Sequence, residues 1–178
     1  MSLDNHPNPE LLAAVIGDFA ERIIENTLRG RVVERMVARA IPGAKNMPVW
    51  HEFDIELPSG ARVEVKQSAA AQSFREGEAS KPIFNIKEAK GRFENDIPTA
   101  LKFVADPGRK ADVYVFAHHP LTKAEGANHW KEDQWRFYGI AASNLPIGAK
   151  SISLGKLKKL GAIECGLVEL AATIDSVP

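Results

Sequence analysis

The chain has 178 residues, 44% of them hydrophobic, which fits one domain with a single buried core. The 23 Lys and Arg residues equal the 23 Asp and Glu residues in number, so no global positive field would draw the protein onto a polyanion. The only cysteine, Cys165, excludes an internal disulfide and a thiolate-rich zinc site. The first residues lack the basic start and apolar core of a signal peptide, and no run of about 18 apolar residues occurs. We therefore expect a soluble, cytoplasmic protein with no membrane partner.

Two helices are predicted at the start of the chain. In residues 8–28, Asn8 is placed to cap a helix and Pro9 takes the first helical position, and apolar residues follow at helical spacing. In residues 27–41, apolar side chains form one stripe that stops before Pro42. Gly30 is expected at the joint between the helices or at the start of the second one.

Strand patterns dominate the next part of the chain. Residues 51–68 alternate apolar and charged side chains around Pro58-Ser59-Gly60, which predicts a β-hairpin with Gly60 in a left-handed conformation. Apolar runs predict further strands at residues 81–86, 111–119 and 134–142. Residues 153–161 predict a short capped helix, whereas residues 166–174 fit a strand or a helix. Polar loops are predicted at residues 75–81, 106–110 and 120–134.

These elements predict an α/β fold with a mixed central sheet, an N-terminal antiparallel hairpin and flanking helices. We expect a single domain over residues 1–178. The N-terminal helices would occupy residues 1–42, and the sheet core with its flanking helices would occupy residues 49–178.

The three-residue turn sets the register of the predicted hairpin, and one of its faces is then entirely charged. The outer pairs have opposite signs and predict ion pairs, whereas the middle pair joins two acids. The facing charged pairs are Glu52–Lys66, Asp54–Glu64 and Glu56–Arg62. A slip of one pair would instead oppose Glu56 and Glu64.

Two acids placed opposite each other need a positive group between them. Directly opposed side chains have Cβ atoms about 5 Å apart, where like charges are destabilising. Converging carboxylates such as Asp54 and Glu64 are the ligands that Mg²⁺ prefers. Lys66 projects on the same face as Glu64 and could stabilise a phosphate or help to activate a water. The hairpin therefore predicts a metal-assisted phosphate chemistry.

The same residues carry a resemblance to a known family. Asp54 is followed after nine residues by Glu64-Val65-Lys66, in an antiparallel ribbon that comes after a Glu-bearing helix. This arrangement resembles the PD-(D/E)XK nuclease superfamily, which has the restriction-endonuclease-like fold. One departure is Phe53, where the family motif often has a proline. Four segments also resemble an uncharacterised bacterial group within it, so that the resemblance covers about two thirds of the chain: residues 26–41, 64–74, 111–119 and 134–140.

The resemblance implies a role for each residue of the motif. Asp54 and Glu64 would bind Mg²⁺ together with the backbone carbonyl of Val65, and Mn²⁺ would substitute for Mg²⁺. Lys66 would orient or deprotonate the attacking water. The reaction would be hydrolysis of a phosphodiester bond assisted by one or two metal ions.

The superfamily often adds a glutamate from the first core helix and a glutamine after the motif. Glu34 is our candidate for the glutamate, because it lies at the edge of the apolar stripe of its helix. Glu21 is the competing candidate. Gln72 resembles the glutamine that contacts the site or the substrate in many relatives. Gln67 ranks lower, because in a continuous strand it points to the side opposite Lys66.

A basic cluster after the hairpin is the best candidate for contact with nucleic acid. It follows the ribbon with few acids nearby and includes Phe84 and Phe93, which could stack on bases. An ordinary solvated surface is at least as good an explanation for such a cluster. Its members are Lys81, Lys87, Lys90 and Arg92.

The expected function is that of a Mg²⁺-dependent deoxyribonuclease acting in DNA repair or in defence against foreign DNA. A homodimer is expected by analogy alone, because many relatives dimerise. The alternative is a non-catalytic DNA-binding or structural subunit that keeps the fold. The presence of Asp54, Glu64 and Lys66 together favours catalysis, because a binding module gains nothing from opposed acids.

Overall fold

A computed structural model of the protein describes residues 7–18, 20–49, 51–73, 78–95 and 101–177. For residues 18, 92–95, 101 and 102 it describes the backbone alone. Within these ranges, no helix is both long enough and apolar enough to span a membrane. The helices are α1 (Pro9–Asp18), α2 (Asn26–Ala40), α3 (Leu154–Lys159) and α4 (Leu170–Asp175). The strands are β1 (Lys45–Asn46), β2 (Ile55–Glu56), β3 (Arg62–Ala69), β4 (Ile83–Asn85), β5 (Ala89–Asn95), β6 (Leu101–Gly108), β7 (Val113–His119), β8 (Arg136–Ala141), β9 (Ser151–Ser153) and β10 (Ile163–Cys165).

The protein has a mixed α/β architecture built on a six-stranded sheet in the order β1-β2-β3-β7-β8-β10. The two central strands, β3 and β7, are parallel, and the other neighbours in this sheet are antiparallel. Two small antiparallel sheets, β4-β9 and β5-β6, accompany it. A parallel pair needs a crossover connection, and here the crossover contains β4, β5 and β6.

The two faces of the sheet bury two separate apolar clusters. Val63 and Val65 of β3 pack on one face together with residues of α2 and α4. Tyr114 and Phe116 of β7 pack on the other face, where Phe84 of β4 and residues of β9 and α3 cover them. Because side chains alternate along a strand, Glu64 and Lys66 lie on the same face as Tyr114 and Phe116.

The N-terminal helices differ from their predicted bounds. α1 ends at Asp18 instead of residue 28, because the segment after it is bound by the distant loop that contains Trp130. Trp130 Nε1 donates a hydrogen bond to Glu21 O at 3.0 Å, and the main chain of residue 129 donates to Arg22 O at 2.7 Å. α2 begins at Asn26, capped by the carboxylate of Glu25, so that Gly30 lies inside the helix and does not mark a joint.

Most of the later elements agree with the sequence patterns. The predicted strands at residues 81–86, 111–119 and 134–142 are confirmed as β4, β7 and β8, and the capped helix at 153–161 is confirmed as α3. The ambiguous segment at 166–174 contains a helix, α4. The β5-β6 hairpin was not predicted, and β6 extends into the predicted loop at 106–110. The sheet also begins at Lys45, before the predicted start of the core at residue 49.

A buried group of aromatic and polar side chains closes one end of the sheet. The ring centroid of His119 lies 4.9 Å from that of His129 and 5.1 Å from that of Trp135. His129 Nδ1 accepts a hydrogen bond from Ile24 N at 3.0 Å, and His119 Nε2 lies 3.0 Å from Gln134 Oε1. Burial, assisted by the charge of a nearby arginine, lowers the pKa of His129 to about 3. Both histidines therefore serve as neutral structural groups.

Acid should weaken the fold through His129. Its pKa is lower in the folded state than the value of about 6.5 in an unfolded chain, so its stabilising contribution is complete above that pH and is lost as the pH falls toward 3. Over this window we expect a loss of about 1.4 kcal/mol per pH unit in the free energy of unfolding. Urea denaturation at pH 7 and pH 5 should show a smaller pH dependence for His129→Gln than for the wild type. The exposed Lys123, changed to Gln, is the control. An unchanged pH dependence in His129→Gln would contradict this assignment.

Candidate active site

The predicted acids lie at a fork where β2 separates from β3. The ladder pairs Ile55 with Val63 and Glu56 with Arg62, which confirms the predicted register. Gly60 has φ +83°, as the predicted turn requires. The ladder ends at Ile55, so the continuation of the hairpin back to residue 52 was wrong.

Asp54 causes the fork to open. Its main-chain N–H donates to Val63 O at 3.0 Å, one residue out of step with the ladder. Its carboxylate atom Oδ2 accepts a hydrogen bond from Val65 N at 2.8 Å. The side chain therefore satisfies a backbone donor of β3 that a regular strand would have paired with a carbonyl group.

The charged ladder is rearranged relative to the prediction. Glu56 lies 3.5 Å from Lys45 of β1, and Arg62 binds Asp112 at 2.7 Å. The predicted pairs Glu56–Arg62 and Glu52–Lys66 are therefore replaced, because β1 and the start of β7 bring new partners to the hairpin. Lys66 instead donates a hydrogen bond to Glu64 Oε1 on its own strand.

Asp54 and Glu64 are partly buried acids, and the charge of Asp54 acts on Glu64. Burial raises the pKa of Asp54, although the Val65 N–H and the Lys66 ammonium act to lower it. Burial likewise raises the pKa of Glu64, and the charge of Asp54 adds to this rise while Lys66 opposes it. Burial favours the neutral form of Lys66, but Glu64 and Asp54 outweigh it and raise the pKa of Lys66. The structure thus brings the three motif residues into one electrostatic unit.

Glu34 approaches this unit from α2. Its side chain is 13% exposed, and its atom Oε2 accepts a hydrogen bond from Arg31. Burial raises the pKa of Glu34 to about 7, with a further contribution from the charge of Asp54 and a smaller one from Glu64. Asn46 of β1 fixes the helix at this point by donating to Glu34 O at 3.3 Å. The competing candidate, Glu21, is exposed and lines a cavity beside Gln72 and Lys123.

The three carboxylates have the chemistry of a site for a hard divalent cation. One oxygen each of Glu34, Asp54 and Glu64 accepts a hydrogen bond, and in the described part of the chain no donor is bonded to the second oxygen. Carboxylate oxygens are the ligands that Mg²⁺ and Mn²⁺ prefer. No three His, Cys, Asp or Glu side chains among the described residues are grouped closely enough to hold an ion as they stand. The donor types therefore suit such a cation, but the described residues do not form a preassembled site.

The two glutamines lie away from these acids. Gln72 Nε2 donates to Ala69 O at 2.7 Å, beyond the C-terminal end of β3, whereas Glu64 lies near the start of that strand. At about 3.3 Å per residue, Ala69 is about 16 Å along the strand from Glu64. Gln67 is directed to α2, where its atom Oε1 accepts a hydrogen bond from the buried Arg29 at 2.7 Å. Neither glutamine contacts the acid unit in the described structure.

The basic cluster is exposed at the root of the β5-β6 hairpin. Lys81, Lys87 and Lys90 are exposed, and within the described ranges no ion pair joins them to a carboxylate. The side chain of Arg92 lies outside the described part of the molecule. The three lysines are therefore available to a polyanion.

Three further residues belong to the neighbourhood of the acids and were not predicted. Arg31 and His51 each lower the pKa of Asp54 by their charge. Tyr114 is paired with Glu64 in the register of β3 and β7, and its pKa is raised by burial and by the charge of Glu64. The spacing of Arg31 and Glu34 on one helix was a usable signal. The pairing of Tyr114 depends on the crossover and leaves no local pattern.

Comparison with protein-family models, with curated proteins and with solved structures found no match for this chain. The interpretation of the site therefore depends on its residues and their geometry.

Glu34→Gln should stabilise the protein at alkaline pH. The pKa of Glu34 is raised to about 7 in the folded state, so its ionisation destabilises the fold progressively as the pH rises from about 4.5 through 7. Glutamine keeps the hydrogen bond to Arg31 without the charge. We expect a gain in the free energy of unfolding on the order of 1–3 kcal/mol at pH 8, and little gain at pH 5, by urea denaturation without divalent cations.

Glu56→Gln, on strand β2, is the control for that measurement. Glu56 is 39% exposed and pairs with Lys45, so its change should leave stability nearly unchanged at both pH values. A Glu34→Gln variant that is no more stable than the wild type at pH 8 would show that Glu34 is not held among like charges.

Proposed function

We propose that this protein is a Mg²⁺-dependent deoxyribonuclease with a restriction-endonuclease-like core and an active site formed by Asp54, Glu64, Lys66 and Glu34. The observation that carries the proposal is that three partly buried acids and one lysine interact electrostatically at the β2-β3 fork. Neighbouring acids that lose solvent lower the stability of the fold unless a cation binds them. Groups with shifted pKa values are also concentrated at functional sites.

The placement of the acids on the fold supports the same assignment. α2 precedes an antiparallel ribbon and carries Glu34 to it, as expected for the helix of a PD-(D/E)XK nuclease. Asp54 lies directly before β2, and Glu64 and Lys66 lie on β3. The backbone of Val65 is already part of the site, because its N–H binds Asp54. The carbonyl group of Val65 is the proposed fourth ligand.

The carboxylates of Asp54, Glu64 and Glu34 would hold the cation, and Mn²⁺ would replace Mg²⁺. A divalent cation bound there would polarise the phosphoryl oxygen, lower the pKa of its bound water and offset the negative charge of the transition state.

Lys66 would act on the phosphate and on the attacking water. Its ammonium group is bound to Glu64 in the protein alone. With Glu64 holding a cation, the ammonium group of Lys66 would be free to donate to a phosphate oxygen or to orient the water. Both proposed roles, the pairing with Glu64 and the contact to phosphate or water, require a lysine two residues from the acid on the same face of β3.

DNA would lie across the exposed lysines Lys81, Lys87 and Lys90, together with Arg92. Contacts of this kind to phosphates supply affinity and position without reading the sequence. The neutral net charge of the chain makes this local cluster, and not a global field, responsible for binding.

Substitution of the motif residues should abolish cleavage. We expect at least about 100-fold slower cutting of plasmid or single-stranded DNA in Mg²⁺ for Asp54→Asn and Lys66→Met, because each removes a group that stabilises the transition state. Asp112→Asn is the matched control, since this acid is on the same sheet but paired with Arg62. An RNA substrate, tested in parallel, decides the type of nucleic acid.

Cleavage that persists in both variants would dismiss the assignment. DNA binding without cleavage by the wild type, in gel-shift experiments with Mg²⁺ or Mn²⁺, would favour the alternative of a non-catalytic DNA-binding subunit.

Binding of a cation should be measurable without any substrate. At pH 8, millimolar MgCl₂ or MnCl₂ should raise the melting temperature of the wild type, because the ion relieves the repulsion among the buried acids. The rise should be lost in Asp54→Asn and kept in Asp112→Asn. An equal rise in all three proteins would indicate an ion bound elsewhere.

A further inference from the structure

The helix α1 presents an apolar surface that the rest of the described chain leaves uncovered. Leu11 is 59% exposed, Ile16 is 48% exposed and Val15 is 43% exposed. From Leu11 to Ile16 the helix contains no polar residue. A helix of ten residues is only marginally stable in water by itself, so α1 needs a surface to pack against.

A groove of matching character runs along α2. Leu28, Val32 and Met36 of the helix line it, and Trp130, 44% exposed, forms its opposite wall. Its cavity volume is about 320 Å³. An adjoining cavity of about 370 Å³ is lined by Ile16, Ala20, Leu28 and Trp130, all of them apolar. Apolar surface therefore continues from the groove to the end of α1.

The charges around the two surfaces are opposite. The only charged residues of α1 are acidic, Glu10 and Asp18. The rim of the groove carries Arg31, Arg35 and Arg39, which recur every fourth residue and so lie on one side of α2. Arg35 is bound only to the neutral Asn46 in the described part of the chain, at 2.9 Å. Arg39 is 79% exposed and lies 3.7 Å from Glu132, a loose pair.

We propose that a second copy of this chain fills the groove, with α1 of each copy seated on α2 and Trp130 of the other. An apolar helix that begins with the acidic Glu10 then meets an apolar groove whose rim carries three arginines and one acid, Glu132. Because both surfaces are on the same chain, a two-fold axis satisfies both at once. Each copy gives one helix and receives the other, so the interface contains two equivalent helix-groove contacts. Their buried areas sum, and stable interfaces bury roughly 800 Å² per partner.

The groove is not filled by α1 of its own chain. Ile16 borders the groove at its end, yet Leu11, Val15 and Ile16 remain about half exposed, and Trp130 remains open to solvent. The two surfaces are therefore complementary in polarity and charge, but they do not cover each other within one chain. Dimer formation through them does not depend on nuclease activity.

The first test is the mass of the intact protein in solution. Sedimentation equilibrium and light scattering should show a dimer, and Val15→Glu should raise its dissociation constant at least tenfold by placing a charge in the groove. Val168→Glu is the matched control, since Val168 is 92% exposed and lies outside the proposed interface. Arg35→Glu should also weaken the dimer, and added salt should weaken the wild type.

The second test identifies the contact. In a Cys165→Ala background, a protein carrying Val15→Cys is mixed with one carrying Arg35→Cys under mild oxidation. The proposal expects a disulfide between the two different chains, and little between identical ones. Folding of each variant is checked by circular dichroism. A monomer at all concentrations, a dimer unaffected by Val15→Glu, or cross-linking of Val15→Cys mainly to itself would overturn the proposal.

Discussion

The carboxylate of Asp54 is held against the backbone of β3, and the arrangement of the acids at the β2-β3 fork depends on that contact. By accepting the N–H of Val65, Asp54 satisfies a donor that β2 would otherwise have paired, and the ladder ends one residue later in the chain. The open fork leaves room for Glu34 to come in from α2. The same contact holds Asp54 near Glu64: burial raises the pKa of both acids, and the charge of Asp54 adds to the rise for Glu64.

Burial of charge at this fork costs stability that the rest of the fold must supply. The sheet supplies it through two apolar clusters, one on each face, in which the valines of β3 and the aromatic residues of β7 are almost fully buried. The parallel pair of β3 and β7 belongs to both clusters and is the rigid base of the site. Lys66 offsets part of the negative charge through Glu64, so the acid unit is tolerated before any cation binds. This balance between a costly site and a well-packed base is typical of proteins that bind or transform charged ligands.

The two proposed interaction surfaces differ in their physical character. The exposed lysines at the root of the β5-β6 hairpin offer point charges to a flexible polyanion, which requires little shape matching. The α2 groove offers apolar surface with a basic rim, which selects a helix of defined shape and charge. Arg31 connects the groove with the acids, because it lines the groove and also donates to Glu34. Arg31 is therefore shared by the groove and the acid unit.

The sequence by itself determined those features that depend on neighbouring residues. The Pro58-Ser59-Gly60 turn and strict alternation set the register that pairs Ile55 with Val63 and Glu56 with Arg62, and the apolar run of residues 111–119 identified β7. Tertiary structure alone decided the end of α1, the opening of the fork at Asp54, the partners of the charged hairpin and the pairing of β3 with β7. Each of these depends on groups far apart in the chain, such as Arg62 with Asp112 or Glu34 with Asp54. Local sequence patterns do not predict such contacts, because the periodicity of side chains and the residues of a turn depend only on near neighbours in the sequence.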